Sequence, residues 1–126
     1  MNILIAGSRN FNDYNFLKEE VNNILINKYD NITIISGCAK GVDKFGEKFA
    51  AEYNINVLKF PAQWDLHGKK AGYLRNEEMV NFLNKENDFA IFFWDGESKG
   101  TTHTINLCKK KGIKSYIFIF KNEVIN

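Results

Sequence analysis

The sequence is poor in the residues that build metal centres. Cysteine and histidine each occur only twice. Cys38 falls in a turn, Cys108 on an apolar helix face and His67 in a loop, and no Cys-x-x-Cys or His spacing among them would hold zinc, so no metal or other cofactor is expected and a reducing cytoplasm is implied. A single proline leaves few rigid turns. No apolar run approaches the ~20 residues that a membrane span needs. The opening Met-Asn-Ile-Leu-Ile-Ala-Gly reads as a strand entering a turn and lacks the basic region and long apolar stretch of a signal peptide. There is little surplus of charge either: the formal net charge is +2. The clearest basic cluster, Lys109-Lys110-Lys111, closes a helix-like segment, where cations complement the macrodipole. A nucleic-acid partner, which calls for clustered Lys and Arg, is not expected, nor is a membrane partner.

What is present is an ordinary globular composition, with 25% charged and 44% hydrophobic residues and 11 Phe to fill the core with rings. A chain of 126 residues fits one domain over 1–126 and buries roughly two-thirds of its unfolded surface. Apolar periodicity divides it cleanly. Strand-like runs at Ile3–Ala6, Ile32–Ile35, Asn56–Phe60, Asp88–Trp94 and Ser115–Phe120 alternate with helix-like segments at Tyr14–Lys28, Val42–Tyr53, Arg75–Asn84 and Thr101–Lys111. Between Pro61 and Leu74 the pattern lapses into a long loop, and Asn122–Asn126 reads as a frayed tail. The order βαβαβαβαβ with right-handed crossovers predicts a Rossmann-like three-layer α/β/α domain, its five-stranded sheet mainly parallel in the order 3-2-1-4-5.

Four Gly-centred turns then fall between strand-like and helix-like segments: Gly7-Ser8-Arg9, Ser36-Gly37-Cys38-Ala39-Lys40-Gly41, the Ala71-Gly72 to Arg75-Asn76 stretch, and Asp95-Gly96 through Ser98-Lys99-Gly100-Thr101. In a parallel sheet such turns project from the carboxyl edge of the strands and converge on one crevice, where amides at helix N-termini attract anions.

These motifs resemble the YspA/YpsA-related branch of the SLOG superfamily over nearly the whole chain. The resemblance rests on Gly7-Ser8-Arg9 with Phe11 and Asp13, the Ser36 to Asp43 loop, Pro61-Ala62-Gln63-Trp64 with Gly68 to Gly72, Arg75-Asn76 with Met79, and Phe93-Trp94-Asp95-Gly96 with Ser98 to Thr101. The superfamily includes the LOG phosphoribohydrolases, DNA-processing protein A and molybdenum-cofactor carriers. The resemblance implies a Rossmann-like fold and a nucleotide-derived ligand.

Residue by residue, Gly7 permits a tight turn, Ser8 offers a hydroxyl and Arg9 a planar fork suited to phosphate; the same tripeptide also serves as a plain turn with a surface arginine. Ser36, Gly37 and Gly41 are expected near the ligand, with the two glycines admitting close backbone approach. Asp43 is read first as the cap of the following helix and second as a ribose ligand. Ser98, Gly100 and Thr101 open the last helix and are expected to grip phosphate through amides, hydroxyls and the helix dipole, although the spacing is not that of a P-loop. Trp64 could lie over a base or lid the core. Arg75 and Asn76 are expected at a helix start, contacting ribose or phosphate. Lys40, His67 and His103 read as ordinary surface or packed residues.

The function expected is the binding of a phosphorylated nucleoside or nucleotide-derived ligand, ADP-ribose-like or similar, by a sensor or by a phage- or mobile-element-type protein that sequesters a signal. The alternative is hydrolysis of an N-glycosidic bond in a nucleoside 5′-monophosphate. The resemblance supplies Arg75 with Met79 for that chemistry, with Asp95 or Asp43 as substitute carboxylates. Against it, LOG-type enzymes carry a catalytic Glu in Gly-Thr-x-x-Glu, and here Gly100-Thr101-Thr102-His103 is followed by Thr104. Single-stranded DNA binding is a weaker reading. Phe82, Phe118 and Phe120 leave a homodimer open.

Overall fold

A computed structural model describes residues 1–121; the segment read as a frayed tail, Asn122–Asn126, lies outside them. The domain is the expected one, an α/β Rossmann-like arrangement. Five parallel strands, β1 (Asn2–Gly7), β2 (Thr33–Ser36), β3 (Asn56–Lys59), β4 (Phe89–Trp94) and β5 (Lys114–Ile119), stand in the order β3-β2-β1-β4-β5. The helices are α1 (Tyr14–Leu25), α2 (Val42–Glu52), α3 (Trp64–His67), α4 (Ala71–Phe82) and α5 (Lys99–Lys111). None is long and apolar enough to cross a membrane among the described residues.

The period-two alternation of the central strands assigns the faces. Ile3, Ile5, Ile34, Ile91 and Phe93 point to the side covered by α1 and α2, with Leu17, Val21, Val42 and Phe49. Leu4, Ala6, Ile35, Ala90 and Phe92 point to the side of α4 and α5, with Met79, Val80, Ile105 and Cys108. The rings concentrate on the first side. Phe11, just past β1, lies 5.3 Å from Phe93 and 4.9 Å from Phe120, and Phe118 stacks on Phe93 at 5.1 Å. Phe118 and Phe120 therefore pack onto this core, whereas Phe82 is 47% exposed and meets the edge of Phe60.

Three boundaries differ from the sequence reading in ways that matter for the site. The stretch expected to be a loop from Pro61 to Leu74 holds α3, a 3-10 turn at Gly68–Lys70 and the first turn of α4. Gly72 is thus inside a helix rather than at a turn, and Arg75-Asn76 sit one turn in rather than at the helix start. Second, α5 begins at Lys99, two residues before the expected Thr101. Third, α1 stops at Leu25, short of Lys28, because Ile26 adopts the left-handed conformation at φ 51 and its N–H bonds back to the Asn22 carbonyl.

Tertiary contacts also engage two charged residues. Asp88 is buried between the chain start and the α4–β4 turn, accepting from Asn2 N at 2.8 Å and Asn84 N at 2.8 Å. Lys111, read from sequence as part of a solvated basic terminus, reaches across to the C-terminus of α4 and donates to the carbonyls of Val80 (3.0 Å), Asn81 (2.8 Å) and Leu83. An ammonium on the orphan carbonyls of a helix end satisfies both their hydrogen-bonding capacity and the dipole. Lys111→Met is expected to cost about 1–2 kcal/mol of unfolding free energy, and exposed Lys110→Met less than about 0.5, by urea denaturation.

Candidate functional site

The ends of β1 and β4 set the site. Gly7 pairs with Phe93 in register, and the two backbones approach so closely that an added Cβ on Gly7 would collide with the Phe93 carbonyl. One residue on, the chain is tied from several directions at Ser8. Its N–H donates to Phe93 O at 3.0 Å, its carbonyl accepts from Phe11 N (3.3 Å) and Val42 N (3.4 Å), and its buried hydroxyl accepts from Asp95 N at 3.1 Å. The loop before α2 closes onto this knot through Gly41. At φ +77, with no room for a Cβ against the Ser8 and Arg9 carbonyls, this position requires glycine.

These constraints leave a cavity of about 390 Å³ beyond the carboxyl edge of the strands, between the turns after β1 and β4, the α2 start, α4 and the N-terminus of α5. Arg9, Asp43, Arg75 and Thr101, drawn from four separate segments, share its wall. Gly7, Ser8, Asn76, Asp95, Ser98 and Gly100 line it as well. Four expected residues do not. Ser36 is fully buried, its hydroxyl donating to Glu47 at 2.7 Å and accepting from Cys38 N at 3.1 Å. The Gly37 carbonyl accepts from Arg75, and Gly41 packs on protein backbone, so both glycines serve close approach of protein to protein. Trp64 is 51% exposed on α3, its ring beside Gly72.

The sequence reading did not place Asn10, Ala39, Met79 or Lys99 on this wall. Lys99 had a usable signal, as the first residue of a helix opening on the crevice. Ala39 lies in a turn expected at the crevice and Met79 beside Arg75 in the resembling motif, but as apolar side chains neither shows by its type that it faces the cavity.

Arg75 is held by two of its three nitrogens. Nε donates to Asn76 Oδ1 at 2.8 Å and Nη1 to the Gly37 carbonyl, which leaves Nη2 without a hydrogen-bond partner among the described residues. No carboxylate forms an ion pair with it among the described residues, and burial holds its pKa below the usual value. Asn76, buried, passes the connection on to α5, its Nδ2 lying 3.4 Å from Gly100 O and 3.3 Å from Nδ1 of His103. His103 packs edge-on against Tyr73 rather than lining the cavity.

At the start of α5 the cap is diverted. Ser98 occupies the N-cap position, yet its hydroxyl binds Asp95 (2.8 Å to Oδ1) and lies 3.0 Å from the Ser8 hydroxyl, so among the described residues no side chain caps the helix. The amides of Lys99, Gly100 and Thr101 therefore keep their donors. Asp95, for its part, takes three donors on Oδ1 and shares the Ser98 hydroxyl on Oδ2. Burial pushes its carboxyl up, but bonds from Glu97 N (2.9 Å), Ser98 N (2.8 Å) and the Ser98 hydroxyl prevail and hold it below the usual range. Thr104, at the position where the LOG pattern has Glu, faces the cavity but donates its hydroxyl to Gly100 O at 3.1 Å.

Asp43 differs from its sequence reading. Gly41 is the N-cap of α2, and Asp43 is the second helical residue, its Oδ2 accepting from Ala39 N at 3.1 Å. Burial raises its pKa to about 6, against the lowering pull of the Ala39 amide and of the Arg75 and Arg9 charges. No group of three or more His, Cys, Asp or Glu side chains suited to a metal occurs among the described residues.

A carboxylic acid that is harder to ionise when folded adds stability below its unfolded pKa of 3.8, and that stability is lost as pH rises through about 6. Unfolding free energies of wild type and Asp43→Asn should accordingly diverge between pH 4 and 6.5, with the variant gaining by up to about 3 kcal/mol. Parallel urea curves across that range would show Asp43 to be unstrained.

The comparisons with known proteins agree with this architecture. The sequence profile of the YspA, cpYpsA-related SLOG family matches residues 1–67, which carry the β1, β2 and β3 turns. The Gene 61 protein of Mycobacterium phage D29 is 32% identical over 116 residues, covering 88% of this chain and 90% of that protein, and so extends the similarity through α4 and α5. No solved structure matches. The chain is a member of the YspA, cpYpsA-related SLOG family.

Proposed function

We propose that the cavity binds a phosphorylated nucleoside or nucleotide-derived ligand, ADP-ribose-like or similar, and that the protein acts by holding it, as a sensor or a sequestering module. One observation carries the reading. A guanidinium that forms no ion pair among the described residues and a helix N-terminus that its N-cap serine does not cap open on the same cavity. Arg75 would supply a charged fork, the amides of Lys99, Gly100 and Thr101 a row of donors, and Arg9 and Lys99 further charge at the rim. Hydrogen bonds to a charged group contribute roughly 1.5–3 kcal/mol each, against about 0.3–1 for the dipole, so these donors would dominate affinity.

Holding is favoured over hydrolysis by the state of Asp95 and Thr104. Cleaving an N-glycosidic bond needs a group to activate water and stabilise an oxocarbenium-like centre. Asp95 is committed to three donors and Thr104 to a carbonyl, which leaves Asp43 as the carboxylate on the cavity wall that hydrolysis would have to use.

Isothermal calorimetry against nucleoside mono- and diphosphates and ADP-ribose tests this. At least one should bind with Kd below about 1 mM, and Arg75→Ala should weaken it about tenfold or more. No binding above that threshold by any of the panel would reject the assignment, and release of free base from a bound monophosphate would replace holding with turnover.

A further inference from the structure

The cavity contains one group that phosphate cannot satisfy. Asp43 is 5% exposed and lines the wall; Oδ2 accepts from Ala39 N, and Oδ1 has no hydrogen-bond partner among the described residues. The charged groups around it are Arg75 on α4, Arg9 in the loop after β1 and Glu47 one turn along α2, and neither arginine forms an ion pair with it. Ionised, as it is above about pH 6, this carboxylate presents to the cavity an acceptor that a phosphate oxygen, itself an acceptor, would only repel. A site for bare phosphate has no use for this carboxylate. A ligand that joins an anion to a hydroxyl resolves both ends, its phosphate on Arg75 and the α5 amides and its hydroxyl on Asp43.

We infer that Asp43 Oδ1 accepts a sugar hydroxyl of the ligand, which makes the cavity selective for ribose-bearing phosphates over their deoxy counterparts. This rests on the phosphate-binding reading above. Asp43 then acts as a specificity-determining residue. A site built around a hydroxyl donor discriminates against analogues that lack it, because its own buried group is left unpaired. The reluctance of this carboxyl to ionise is consistent with an acceptor awaiting its donor.

The test uses the whole chain, wild type and Asp43→Asn, with the 5′-monophosphates of the four common ribonucleosides, their 2′-deoxy and 3′-deoxy forms, and orthophosphate. For wild type, loss of the engaged hydroxyl should weaken binding about 10- to 100-fold. In Asp43→Asn the ribo and deoxy forms should differ by less than about threefold, while orthophosphate binds no more weakly than to wild type. Equal affinity of wild type for all three sugar forms would overturn the inference and leave phosphate binding standing, whether or not the variant folds. Failure of every ribonucleotide and of orthophosphate to bind would overturn the phosphate reading itself, and the inference with it.

Discussion

The fold and the cavity both depend on the knot of hydrogen bonds at Ser8. Within one residue the backbone and hydroxyl of Ser8 join the end of β1 to Phe93 and Asp95 beyond the neighbouring strand and to Val42 at the start of α2. The knot forms only because Gly7 and Gly41 lack side chains on either side of it. Through Asp95 it also fixes Ser98, and through Ser98 the open N-terminus of α5. The hydroxyl that sequence reading offers to a ligand is thus spent on geometry. What it secures is the direction of other groups' donors.

A second chain of contacts runs along the opposite wall. Arg75 bridges to the β2 loop at Gly37, Asn76 spans from Arg75 to α5, and Lys111 fastens the far end of α5 to the end of α4. The two helices on this side are therefore clamped at both ends. The guanidinium is presented by a rigid support, which lowers the entropy that a bound anion would have to overcome.

The topology was legible because its signals are local and periodic. Alternation in β1 and β4 and the apolar spacing of α2 fix the elements, and short connections fix the order. The start of α4 was not legible, since its first turn, Ala71-Gly72-Tyr73-Leu74, buries only Ala71 and includes a glycine. In the site, the residue types pointed to one shared crevice but not to their tasks. Gly41 reads as room for a ligand, yet what fills the space is the carbonyl of Ser8, more than thirty positions away. Asp43 reads as a helix cap because nothing local says that Gly41 already stands at that position. Lys111 reads as solvated because its partners lie on a helix some thirty residues upstream.

The wall of the cavity is assembled from the first loop, the α2 start, the middle of α4 and the head of α5, so no fragment of the chain carries it. Only the globally folded state can be occupied, and mass action then shifts the folding equilibrium with it. An occupant at a hundredfold excess over its dissociation constant would stabilise the whole chain by about 2.7 kcal/mol. Resistance to heat is in this way coupled to the concentration of whatever small molecule fits.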